Sequence, residues 1–195
     1  MDREDILRRY RELKKKVVDR KEQFDKLMDF LESKTEWMRS PASTRFHLCE
    51  EMGLLAHSVN VAETLLKLKE LLAPDIPDES CVITGLLHDL GKAGVPGKPQ
   101  YLPNEPSEKQ KMYGYRATYP YRFNTDLVYL SVPVRSLYIV SRFINLSETE
   151  AQAIVYHDGQ YVEDNRSSAS REEPLTLLLQ YADNWSGFVL EKDNS

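Results

Sequence analysis

The string Gly85-Leu86-Leu87-His88-Asp89-Leu90-Gly91-Lys92 sets an imidazole and a carboxylate side by side in an apolar run. Burying both costs free energy unless each finds a partner. A divalent metal is one such partner, because histidine offers a neutral nitrogen and aspartate a charged oxygen, a mixture several transition metals accept. Adjacent helical residues point about 100° apart, so both reach one ion only at a helix edge or end. Gly91 is expected to loosen the helix and supply that geometry. Lys92 lies one turn beyond Asp89 on the same side, where it can set a point charge on a phosphate oxygen. Two further polar residues interrupt apolar runs: His57 in Gly53-Leu54-Leu55-Ala56-His57-Ser58, and Asp183 in Leu177-Leu178-Leu179-Gln180-Tyr181-Ala182-Asp183-Asn184. Each alone is a weak signal. A lone histidine on an apolar face is more often hydrogen-bonded within the core. A lone aspartate can cap a turn or pair with an arginine. Three polar intrusions on three apolar helices, however, suggest convergence in a helical core, as in metal sites of helix bundles.

The elements that must position these residues read as follows. Residues 2–33 form one amphipathic helix, with Ile6, Tyr10, Leu13, Val17, Phe24, Leu27 and Leu31 on one stripe. Ser40-Pro41 breaks the pattern, and a helix from Phe46 to Leu72 is expected to follow, with a break near Gly53. Asp78 is a plausible N-cap for a short, buried helix carrying Cys81, Val82, Ile83, Leu86, Leu87 and Leu90. The proline-rich segment 93–126 ends in the alternation Tyr113, Tyr115, Tyr119, Tyr121, Phe123, which predicts a small β-hairpin or extended flap around residues 110–125. Short helices are expected at Val134–Phe143 and Glu148–His157, the second opened by a Ser147/Glu150 capping box. A last helix should run from about Glu172 to Leu190, with Pro174 in its first turn.

The chain has 195 residues, 41% of them apolar and 29% charged, which suits a single domain over residues 1–195 with a solvated surface. Its net charge of −5 argues against broad binding to duplex nucleic acid, which wants a basic face. A small phosphorylated substrate stays compatible, because one metal ion and a few basic side chains reverse the field inside a cleft. The start MDREDILRRY lacks an apolar leader, no run of 18 apolar residues occurs, and Cys49 and Cys81 form no CxxC pair. A cytoplasmic protein with reduced thiols and no membrane partner is expected. A homodimer is compatible with this reading.

The order His57, His88-Asp89, Asp183 resembles the H…HD…D signature of the HD-domain superfamily of metal-dependent phosphohydrolases. Pro41-Ala42-Ser43, then Met52-Gly53-Leu54-Leu55-Ala56-His57-Ser58, is similar to a bacterial and phage branch in which a Gly-Gly pair opens the second motif. The resemblance spans about residues 37–190. It implies an all-α helical bundle and one divalent cation (manganese, iron, cobalt, nickel, zinc or magnesium) held by His57, His88, Asp89 and Asp183. Binuclear members carry two more histidines. His157 matches one, but Ser131-Val132-Pro133-Val134 holds no histidine for the other, so a single metal is expected.

On this reading the substrate is a nucleotide or related phosphoester. Asp89 orients a water, Lys92 offsets phosphoryl charge and His157 is a candidate acid for the leaving oxygen. Arg135 is a candidate phosphate contact, with a solvated arginine as the ordinary alternative. Tyr113 and Tyr115 are candidates for stacking a base, or else cover the core. His47 is a candidate for the cleft mouth. Competing readings are a 3′–5′ phosphodiesterase on short oligonucleotides and a regulatory module that binds metal or nucleotide without turnover.

Overall fold

The computed structural model describes residues 2–46, 48–115 and 117–192. The fold is all-α with one small sheet. In chain order it comprises α1 (Arg3–Lys14), α2 (Lys21–Lys34), α3 (Gly53–Leu72), α4 (Asp78–Leu87), β1 (Tyr101–Pro103), α5 (Glu108–Met112), β2 (Tyr121–Phe123), α6 (Val132–Val140), α7 (Glu148–Tyr156) and α8 (Pro174–Trp185). Short 3₁₀ turns lie at Leu90–Ala93, Gly159–Tyr161 and Glu163–Ser168, and a π-helical turn at Ser186–Leu190 follows α8. No helix among the described residues is long and apolar enough to cross a membrane.

Helices α3, α4 and α8 form the centre. Leu54, Leu55, Val59, Ala62 and Leu65 of α3 share one buried cluster with Val82, Ile83, Leu86 and Leu87 of α4 and Leu178, Leu179 and Ala182 of α8. Each fully buried leucine or isoleucine contributes about 1.5–3 kcal/mol relative to exposure. Gly85 sets the spacing of α3 and α4, because a Cβ there would lie 2.7 Å from the Ala62 Cα. A larger residue would push apart the two helices that carry His57 and His88.

The expected single helix over 2–33 is two helices. The turn between them contains Val17, Val18 and Asp19, and its backbone is captured from a distance. Glu79 Oε2 of α4 accepts the N–H groups of Val18 (2.8 Å), Asp19 (2.8 Å) and Arg20 (3.2 Å). That carboxylate satisfies the backbone donors of the turn that leads into α2, which has no side-chain cap of its own. The helix expected from Phe46 starts at Gly53, and Asp78 is the first residue of α4, with Pro77 as its cap. The flap is real, but its hairpin pairs Tyr101–Pro103 with Tyr121–Phe123, Tyr101 opposite Phe123. Tyr113 and Tyr115 lie outside both strands, just beyond α5. The Ser147/Glu150 capping box is present as expected, and Pro174 opens α8. The last helix stops at Trp185 instead of Leu190 and widens into the π turn.

Candidate metal centre

Helix α4 ends at Leu87, so His88 and Asp89 occupy the turn between its C-terminus and the following 3₁₀ turn. There both side chains face one centre. His57 arrives from near the N-terminus of α3, His157 from the C-cap of α7 and Asp183 from the last turn of α8. All three histidines and Asp89 are at most 4% exposed. The His57 and His88 rings lie 5.4 Å apart and the His88 and His157 rings 4.7 Å apart, centroid to centroid.

Each imidazole is oriented through its Nδ1. That of His88 donates to the Gly85 carbonyl at 2.8 Å, that of His157 to the Ile154 carbonyl at 2.8 Å, and that of His57 to Glu191 Oε2 at 2.9 Å. Carbonyl and carboxylate oxygens only accept, so the proton sits on Nδ1 and Nε2 is the nitrogen presented to the centre. His57 Nε2 lies 3.0 Å from Asp183 Oδ1 and 3.6 Å from Asp89 Oδ2. His88 Nε2 lies 3.6 Å from Asp89 Oδ2 and 3.8 Å from Asp183 Oδ1. His157 Nε2 lies 3.6 Å from Asp89 Oδ1 and 3.6 Å from Asp158 Oδ1. His88 Nε2 is buried with no hydrogen-bond partner among the described residues. A buried, orphaned nitrogen between two carboxylates is an unfavourable arrangement until something accepts its lone pair.

The charges agree with a cation site. Asp89, Asp158 and Asp183 crowd together, with Lys92 Nζ 2.5 Å from Asp89 Oδ2. Burial drives His88 down to about 4, so its Nε2 is bare at neutral pH. Burial also opposes charge on His57 and His157. Asp183 and Glu191 nevertheless carry His57 up to about 10, and Asp89 and Asp158 carry His157 up to about 9. Burial disfavours the ionised form of Asp183 too, yet His57, His88 and His157 hold it below the ordinary carboxylate range. The acidic cluster thus takes up positive charge as protons on imidazoles. A metal would replace such protons. His57, His88 and Asp183 form one group able to hold an ion, His88, Asp89 and His157 a second, and His157, Asp158 and Asp183 a third. Two imidazoles with two carboxylates match the donor preferences of several divalent metals.

A cavity of about 670 Å³ opens onto this cluster. Its polar lining includes His57, Asp89, Lys92, His157, Asp158 and Asp183, and its apolar and aromatic lining Val132, Pro133, Tyr161, Val162 and Phe188. The structure therefore gathers His57, His88, Asp89, Lys92, His157 and Asp183, six of the residues singled out from sequence. It does not gather the others. Arg135 is buried, but its guanidinium donates to Gln100 Oε1 and to the Val128 carbonyl, each at 2.6 Å, so it braces the flap segment rather than lining the cavity. Tyr113 and Tyr115 are exposed beside each other, with ring centroids 6.5 Å apart, and neither lines the cavity. His47 lies outside the described residues. The sequence reading missed Asp158, Glu191, Tyr161 and Phe188. Asp158 carried a signal, since His157-Asp158 repeats the His-Asp dipeptide. Tyr161 and Phe188 carried none.

The HD domain family model matches residues 54–186, about two thirds of the chain. No curated protein and no solved structure matches. The matched stretch runs from α3 to the end of α8 and holds His57, His88, Asp89, His157 and Asp183. The chain belongs to the HD domain family, which implies divalent-metal binding and hydrolysis of the metal-dependent phosphohydrolase type.

Proposed function

We propose that the protein hydrolyses a phosphate ester of a nucleotide or a related small phosphorylated metabolite, using one divalent ion held by His57, His88, Asp89 and Asp183. The observation that carries this reading is the orphaned Nε2 of His88, buried between Asp89 and Asp183, two residues that line an open cavity. When bound, such an ion supplies Lewis-acid charge and lowers the pKa of water from about 15.7 toward about 7. The remaining work falls to the chain's own side chains. Asp89 orients the attacking water and accepts its proton as the new oxygen–phosphorus bond forms. Lys92 is half-buried beside Asp89, which holds its pKa above the ordinary lysine value against the cost of desolvation. It stays cationic and offsets charge growing on the phosphoryl oxygens. His157 is protonated at neutral pH in the metal-free protein. It donates that proton to the leaving oxygen as the old phosphorus–oxygen bond breaks.

The walls support a substrate with a flat or apolar part. Tyr161 and Phe188 are exposed, border the cavity and offer π faces. Base–aromatic stacking contributes about 1–3 kcal/mol per base. The test is a phosphate-release screen across nucleotides with several divalent metals, beside His88→Ala and Asp89→Ala. Metal-dependent release by wild type that both variants lose is the expected result. Equal release by all three would overturn the assignment.

A further inference from the structure

The hydrogen bonds that hold His57 run past both ends of the family match. Glu191 follows its last residue, 186, and Arg9 precedes its first, 54. Glu191 is buried at 8% exposure, with Oε2 at 2.9 Å and Oε1 at 3.1 Å from His57 Nδ1. Asn60 Nδ2 donates to Glu191 Oε1 at 2.9 Å, and Asn60 Oδ1 accepts from Arg9 Nη2 at 2.8 Å. A guanidinium only donates and a carboxylate only accepts, so the Asn60 amide has one orientation here. Arg9 is itself held by Glu63, at 2.7 and 3.0 Å. Helix α1, one face of α3 and the segment after α8 thus meet in one string that ends on a candidate metal ligand.

The π turn makes the last link. The Glu191 N–H donates to the Ser186 carbonyl at 2.9 Å, a five-residue step. A helical residue turns about 100°, so continuing α8 without the wider turn would rotate position 191 away from His57.

The structure assigns Glu191 as a positioning residue for His57, oriented in turn by Asn60 and Arg9. This rests on the metal reading proposed above. The carboxylate keeps the proton on Nδ1, aims Nε2 at the centre and raises the ring's basicity. Losing such a partner typically weakens metal binding by about 10–100-fold.

The test titrates manganese alone into metal-free wild type, Glu191→Ala, Glu191→Gln and Asn60→Ala. Metal-free unfolding midpoints and the proton spectrum of the zinc-loaded proteins are measured alongside. Glu191→Ala should bind manganese about 10–100-fold more weakly and lose the downfield Nδ1–H resonance of His57. Glu191→Gln should recover part of both, because its amide oxygen still accepts. Asn60→Ala should show a smaller loss than Glu191→Ala. Lower unfolding midpoints with manganese affinity unchanged would overturn the proposal and leave Glu191 a stability residue. If Glu191→Ala does not fold, Glu191→Gln decides alone: affinity equal to wild type overturns the assignment. Wild type that binds neither ion would overturn the metal reading and this proposal with it, whereas tight binding by wild type and all variants overturns this proposal only.

Discussion

Among the described residues, two clusters of buried charge differ in how far their polar atoms are paired. In the first, Arg20 Nε meets Glu79 at 2.6 Å, while its two terminal nitrogens meet Glu150 at 2.6 and 2.7 Å. The spare lone pairs are used as well, since Glu79 accepts three backbone N–H groups and Glu150 accepts the Ser147 N–H. One guanidinium between two carboxylates ties the start of α2 to α4 and α7. In the second, three imidazoles and three aspartates face one another, Lys92 supplies the fixed cation, and His88 Nε2 has no partner among the described residues. A buried network gains stability when every member is satisfied and costs stability when one is not. The first network is finished by the protein alone. The second leaves a buried nitrogen unpaired, which supports it as the proposed metal site.

Removing charge from the incomplete cluster should abolish activity and spare the fold. Asp89→Asn keeps shape and volume, and phosphate release should fall by at least about 100-fold. Circular dichroism should be unchanged; a variant that unfolds would place Asp89 in the structural class with Glu150.

Acid should weaken the incomplete cluster's hold on its ion. His57 titrates up at about 10 in the metal-free protein, and a ligand must lose its proton to bind. Manganese affinity should therefore rise by about tenfold per pH unit from pH 7 toward 10 if one proton is displaced. Calorimetry in buffers of different ionisation enthalpy counts that proton, and affinity flat over this range would contradict the account.

Breaking the complete cluster should do the reverse. Arg20→Ala strands Glu79 and Glu150 and should cost about 3 kcal/mol, roughly 6–12 °C in unfolding midpoint for a chain of this size. Its metal affinity should not change. The two carboxyls are held below their ordinary 4.5 by Arg20 despite burial, so this stability is full above about pH 4.5 and lost as pH falls below it. The Arg20→Ala protein should lose that acid-side dependence. The smallest effect is expected at the cavity wall: Tyr161→Ala should raise KM about fivefold, matching about 1 kcal/mol of stacking, with kcat nearly unchanged.

How much of this was legible in the sequence follows from the same contrast. His57, His88, Asp89 and Asp183 stood out because a polar residue on an apolar helix needs a reason, and that reason is local. The Ser147/Glu150 box was legible for the same cause: both partners lie within one turn. The split of the first helix was not, because Glu79 holds the turn between α1 and α2 from about sixty positions away. Glu191 was not, because a π turn changes the phase on which any helical reading depends. The tyrosine alternation correctly announced an extended element, yet which aromatics border the cavity is set by packing: Tyr161 and Phe188 border it, Tyr113 and Tyr115 do not. Arg135 looked like a phosphate contact because its carbonyl and amide partners, at Val128 and Gln100, come from a loop whose path the sequence does not specify.

The central claim is that the unpaired Nε2 of His88 is a metal ligand. Manganese titrated into metal-free wild type and His88→Ala, followed by calorimetry, tests it most directly. The account predicts one ion per chain for wild type and at least tenfold weaker binding for the variant. Manganese bound equally by both proteins, or by neither, would contradict it.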